Sequence, residues 1–189
     1  METATERITA ERFLELVEEG EFAHRWVELV DGELVVNEPL PIHAALQVRI
    51  VTELENWIRA GRQRGLALTP ADVVMDEFNV YGPDVLWFAE HHRPADLRQR
   101  LPRVPDLCVE IRSPSTWRVD IGAKKRVYEA GALPELWLVD TVAEQIFAFR
   151  RSKPRVGHFD VALDLNRGDT LSSPLLPGFT LSLDDLFTL

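Results

Sequence analysis

The sequence predicts a mixed α/β fold: a mixed central β-sheet flanked by helices, with an N-terminal helix and a β-hairpin ahead of it. Three observations lead there. Apolar residues recur at helical spacing in two segments of the first sixty residues; an Asp-Gly pair joins two short apolar runs; and the later runs include a strand, helix, strand passage of the kind that makes a parallel crossover.

Taken in order, Thr9 is placed to cap a short helix in which Phe13, Leu16 and Val17 share a face and Gly20 provides the stop. Arg25 to Val30 and Glu33 to Asn37 flank Asp31-Gly32, a strong hairpin signal because a type I′ turn needs positive φ at both central residues. Trp26, Glu28 and Val30 then share one face. After the Pro39 to Pro41 break, residues 42–60 set Leu46, Ile50, Leu54, Trp57 and Ile58 on one stripe of the longest helix, with His43 in its first turn. Apolar runs at 66–69, 72–75, 84–89 and 106–111 read as strands, and 93–105 as a polar, proline-punctuated loop. A helix from Val119 to Ala130 closes at Gly131, and strands follow at 135–140, 144–150 and near 158–164.

The 189 residues fit one domain spanning 1–189, and 46% of them are apolar. No uncharged apolar run approaches membrane-spanning length, and charges near the N-terminus interrupt any signal peptide, so the expectation is a cytoplasmic protein with no membrane partner. Cys108, the single cysteine, lies in an apolar run and reads as buried and inert. The formal charge of −10 argues against a nucleic-acid partner only if it is evenly spread. It is not: residues 1–38 carry 11 acidic and 3 basic side chains, whereas residues 91–126 carry 9 basic and 4 acidic ones. Nucleotide-binding, serine-hydrolase and zinc-protease motifs are missing, and His91-His92 with one cysteine makes no zinc signature.

Carboxylates placed in apolar strands remain to be explained. Asp84 follows Gly82-Pro83 and opens a buried run, and Glu110 lies inside LCVEIR, sharing a face with Cys108 and Arg112. A buried carboxylate needs a cation, a hydrogen-bond donor or a metal. One reading is an internal pair of Glu110 with Arg112 or of Asp84 with an arginine; the other is two oxygen ligands for a divalent cation. On the following helix Asp120, Lys124 and Tyr128 are spaced i, i+4, i+8. An ordinary Asp120–Lys124 surface pair would explain that spacing, but lysine is scarce, with three against 18 arginines, and two are adjacent here.

Pro83-Asp84, the segment Glu110 to Ser115, the set Asp120, Lys124 and Tyr128, and Gly131 to Asp140 together resemble the Uma-type restriction-endonuclease family of the PD-(D/E)xK nuclease superfamily. The resemblance extends upstream to Glu28 through Leu34 and His43, and downstream to Gly168 through Phe179. Each motif is weak alone; their order and spacing are specific. The resemblance implies a restriction-endonuclease-like core in which Asp84 and Glu110, on neighbouring strands, hold Mg²⁺ or Mn²⁺ for hydrolysis of DNA, with a homodimer as the assembled form. Carboxylate oxygens suit such hard cations. This sequence departs from the superfamily pattern in placing Arg112 where (D/E)xK has its lysine; arginine clamps phosphate but stays protonated. Lys124, from the next helix, is then expected to supply the ammonium. Glu28 and His43 resemble accessory site residues, with a strand-end salt bridge and a helix-capping imidazole as the plainer alternatives. Asp120 is a further accessory residue, and Tyr128 reads as a packing residue with a satisfied hydroxyl. The rival functions are a nuclease-like fold that binds nucleic acid or protein without catalysis, and an enzyme acting on a small anionic substrate.

Overall fold

A computed structural model describes residues 7–189. The Thr9 hydroxyl accepts the Arg12 N–H at 3.3 Å and caps α1 (Ala10–Glu18). β1 (Trp26–Val30) and β2 (Glu33–Asn37) pair antiparallel around Asp31 and Gly32, whose φ of 52° and 80° are the left-handed values the turn requires. α2 (Pro41–Arg59) starts with proline at its first position, where the missing N–H costs nothing.

The hairpin does not stand by itself. β4 (Val73–Asp76) and β5 (Asn79–Tyr81) join it in a four-stranded antiparallel sheet of order β2-β1-β5-β4. β5 is three residues long, too short for its alternation to register in the sequence. β3 (Leu66–Leu68), β6 (Val85–Phe88), β7 (Leu107–Ile111), β8 (Glu135–Asp140), β9 (Gln145–Arg150) and β10 (Val161–Leu165) build a mixed six-stranded sheet of order β10-β9-β8-β7-β6-β3. In it β7 and β8 run parallel, as the crossover from 106 to 140 predicts, and the other neighbours are antiparallel. β11 (Thr170–Ser173), β12 (Leu176–Ser182) and α5 (Leu183–Phe187) complete the chain.

The crossover helix departs from regularity. Instead of one α-helix over 119–130 there is a short α3 (Trp117–Val119), a π turn over Asp120–Lys124, and α4 (Lys125–Ala130). Asp120, Lys124 and Tyr128 are all buried, so the wider turn serves to keep three polar groups against the sheet.

The two faces of the six-stranded sheet bury different things. Val85, Trp87, Val109, Ile111, Trp137 and Val139 pack against Leu46, Ile50, Leu54 and Trp57 of α2 in an apolar layer. Cys108, Leu136 and Leu138 pack on the opposite face with Val30, Tyr81 and Tyr128. Cys108 is fully buried, and burial pushes its thiol up, so it is the packing residue expected. Among the described residues no helix is long and apolar enough to cross a membrane.

Candidate active site

The antiparallel register pairs Val85 with Val109, so the next step along both strands sets Asp84 across from Glu110. Asp84 is held from two sides: its Oδ2 accepts the Ile111 N–H at 2.7 Å and its backbone carbonyl accepts the Gln47 side chain at 2.8 Å. Oδ1 lies 3.0 Å from Nε2 of His43 in the first turn of α2. The two atoms are near but poorly aligned, leaving Nε2, though buried, without a proper hydrogen-bond partner among the described residues.

Glu110 faces the helix side, where Lys124 reaches it. The Lys124 ammonium is 2.8 Å from Glu110 Oε1, 2.9 and 3.0 Å from the two oxygens of Glu28, and 3.2 Å from Asp120 Oδ1. It also lies 5.3 Å above the Tyr81 ring. Each carboxylate is fixed by a further donor. Gly82 N–H donates to Glu28 at 2.7 Å, the Thr116 hydroxyl donates to Asp120 at 2.9 Å, and the Tyr128 hydroxyl donates to Glu110 at 2.5 Å. Lys124 is 1% exposed and the four carboxylates between 2% and 7%, so water screens none of these charges well.

Three carboxylates surround one ammonium, and Asp84 adds a fourth negative group across from Glu110. Burial, only partly offset by Lys124 and reinforced by Asp120, Glu28 and Asp84, holds the Glu110 carboxyl well above the usual carboxylate range. Asp120 is raised as well, first by burial and against the pull of Lys124. Burial by itself would lower Lys124, but Glu110, Glu28 and Asp120 reverse that and keep it protonated. Tyr128 is raised by burial and by Glu110, so it stays a hydrogen-bond donor.

The sequence therefore picked residues that meet: Glu28, Asp84, Glu110, Asp120, Lys124 and Tyr128 at one end of the sheet, with His43 against Asp84. Arg112 does not join them. Its guanidinium binds both oxygens of Asp140 at 2.8 and 2.9 Å and sits over Trp117. Neither internal pair considered for the strand carboxylates forms: Glu110 takes Lys124 in place of Arg112, and Asp84 has His43 beside it in place of an arginine. Three contributors were not singled out as site residues from the sequence: Tyr81, Gly82 and Thr116. The last had a weak signal, a hydroxyl residue four positions before Asp120.

The donor set suits a hard divalent cation. Among the described residues no group of three or more His, Cys, Asp or Glu side chains forms a ready metal cage. Mg²⁺ does not need one, since it binds through one or two carboxylates and completes its shell with water and substrate phosphate. Asp84 and Glu110 occupy opposed positions on neighbouring strands, the His43 Nε2 beside Asp84 is unsatisfied among the described residues, and the surplus negative charge calls for a cation beyond Lys124.

A solved structure from Anabaena variabilis, described as a putative nuclease belonging to DUF820, superposes with a TM-score of 0.78 over 96% of this chain and 98% of its own, at 18% identity. That likeness shows a shared fold. No curated protein matches the sequence. Residues 10–184 match the Uma2 family, described as "Putative restriction endonuclease", so the chain belongs to the Uma2 family.

Proposed function

We propose that the protein is a Mg²⁺- or Mn²⁺-dependent endonuclease that hydrolyses phosphodiester bonds of DNA. The observation that carries the reading is the buried site in which three carboxylates share one ammonium with Asp84 across the strand pair from one of them, an arrangement that is costly unless it serves to take up a cation. Asp84 and Glu110 would hold the ion. A divalent ion there supplies a more acidic bound water and neutralises charge that develops on the phosphate. Lys124, kept protonated by its carboxylate partners, offers a fixed positive charge beside Glu110 for the scissile phosphate. Glu28 and Asp120 hold that ammonium in place. His43, beside Asp84, can accept or relay a proton. Arg112 lies just past β7 with its charge anchored by Asp140, and is a candidate clamp for a neighbouring phosphate.

The alternative is a fold that binds nucleic acid without cutting it. It draws support from Glu110, whose Oε1 already has both Tyr128 and Lys124 on it, and from Arg112 in the lysine's usual slot. Incubation of plasmid and oligonucleotide DNA with Mg²⁺ or Mn²⁺ decides between them. The expected result is cleavage that Asp84→Ala abolishes; absence of turnover by the wild type across both metals, with DNA still bound, would establish the binding reading instead.

A further inference from the structure

His43 and Gln47 lie one turn apart on the same face of α2, and Gln47 donates to the Asp84 carbonyl at 2.8 Å, which pins the residue ahead of β6 against the helix. Leu46, Ile50 and Leu54 anchor α2 in the apolar layer, so the imidazole is held at a fixed depth, 3% exposed. The Asp84 carboxylate is oriented from its other side by the Ile111 N–H on Oδ2, which leaves Oδ1 as the oxygen toward His43. Oδ1 and Nε2 are 3.0 Å apart, yet no hydrogen bond joins them, and Nε2 is buried with no partner among the described residues. Buried polar atoms are rarely left in that condition. A lone pair on Nε2 would repel the carboxylate oxygen, and an N–H there is not aimed at it, so a shared proton does not account for the close approach. A metal ion asks for the opposite arrangement, two lone pairs that converge on a third point. Adjacent ligands of an octahedral ion with bonds of about 2.1 Å stand about 3.0 Å from each other.

We infer that His43 is a metal ligand through Nε2, alongside Asp84, and that this nitrogen tunes the site to a transition ion such as Mn²⁺ over Mg²⁺. The inference rests on the metal-dependent reading above and adds to it a ligand and a choice of ion. Mg²⁺ prefers carboxylate and water oxygens and parts with its water reluctantly, whereas an imidazole nitrogen is a softer donor that transition ions accept more readily. No preformed cage of three such side chains exists among the described residues, Glu110 being drawn to Lys124, so His43 and Asp84 are the converged pair and water and substrate phosphate fill the other positions. With Nε2 engaged, His43 no longer relays a proton. Its work in the loaded protein is to hold and select the ion.

The test loads the full chain with Mn²⁺ and asks whether a histidine nitrogen lies on the ion. Electron spin-echo spectra of the wild type are expected to carry the modulation of a directly bound nitrogen, and that modulation should change when the protein is grown on histidine labelled with heavy nitrogen. It should vanish in His43→Ala and in His43→Gln, the second of which keeps a polar side chain of similar size in the buried position. By calorimetry the wild type should bind Mn²⁺ more tightly than Mg²⁺, and either variant should weaken Mn²⁺ by about tenfold or more and Mg²⁺ much less, so that the gap closes. Mn²⁺ binding that Asp84→Ala abolishes but that shows no histidine nitrogen would overturn the ligand role, and DNA cleavage with the same ion would leave the nuclease reading standing. A histidine nitrogen that persists in both His43 variants, or equal affinities for the two ions that the variants leave untouched, would overturn the ligand role as well. Histidine-bound Mn²⁺ in a wild type that cleaves no DNA would keep the ligand role and remove the nuclease reading. A wild type that takes up neither ion would remove both.

Discussion

Two buried glutamates on neighbouring parallel strands have opposite surroundings. Glu135, at the start of β8, accepts hydrogen bonds from Trp137 at 2.5 Å, Ser173 at 2.6 Å and Arg150 at 2.9 Å. One cation faces one anion, each oxygen has a donor, and the group holds β8, β9 and β11 together. Glu110, near the end of β7, shares Lys124 with Glu28 and Asp120 and has Asp84 across from it. Both residues are nearly inaccessible, at 1% and 3%, so depth of burial does not separate them. The ratio of charges does. A buried carboxylate with its own cation is architecture, and a group of carboxylates short of cations is a place where a ligand completes the electrostatics.

That contrast can be broken by exchanging each glutamate for its neutral isostere. Glu110→Gln is expected to lower metal-dependent cleavage on the order of 10³-fold, the equivalent of several kcal/mol of lost metal-borne stabilisation, and to leave the melting temperature unchanged or higher, because its surroundings already disfavour a charge at this position. Steady-state cleavage together with calorimetric melting reads both effects; a marked fall in stability would mean that the Glu110 charge is structural after all. Glu135→Gln should do the reverse. It leaves Arg150 without its counterion and should cost about 3–5 kcal/mol in denaturant unfolding, with metal affinity of the surviving folded protein retained.

The smallest expected effect concerns Asp140. Partial burial opposes its charge, but the N–H groups of Ala143 and Val142 and the Arg112 guanidinium outweigh burial and hold its carboxyl below the usual range. A depressed folded value means that the ionised group contributes stability above the unfolded carboxylate range, and that this contribution disappears as the pH falls through the folded value. Asp140→Asn should therefore cost at most about 1 kcal/mol at neutral pH, allowing for solvent screening, and the gap between variant and wild type should close on acidification. A gap that is constant with pH would show that the loss is one of packing.

How much of this could be read in advance depends on the range of the interaction. The Asp31-Gly32 turn, α2 and the strands that carry Asp84 and Glu110 are local patterns, and each lies within a residue or two of its expected place. Lys124 was legible because lysine is rare in this chain and falls at helical spacing from Asp120. The partner of Arg112 was not, because Asp140 arrives from a strand 28 residues later and only the parallel register sets it alongside. β5 was hidden for the same reason: it makes no sense without the second sheet that forms around the hairpin.

The π turn over Asp120–Lys124 has a consequence for chain length. In a regular α-helix, residues spaced by four drift around the axis by about 40° per step, so Tyr128 would stand about 80° from Asp120. The turn takes up that angular lag and puts Asp120, Lys124 and Tyr128 in one line over the sheet. The site is thus set by phase as well as by chemistry. Removing Gly122, which has open space around it and no side chain to lose, would let the helix relax to regular winding and leave Lys124 about 60° around the axis from Asp120 while keeping every side chain of the site in the sequence. A protein built this way tolerates changes of letter around its site more readily than a change in the count of residues between them.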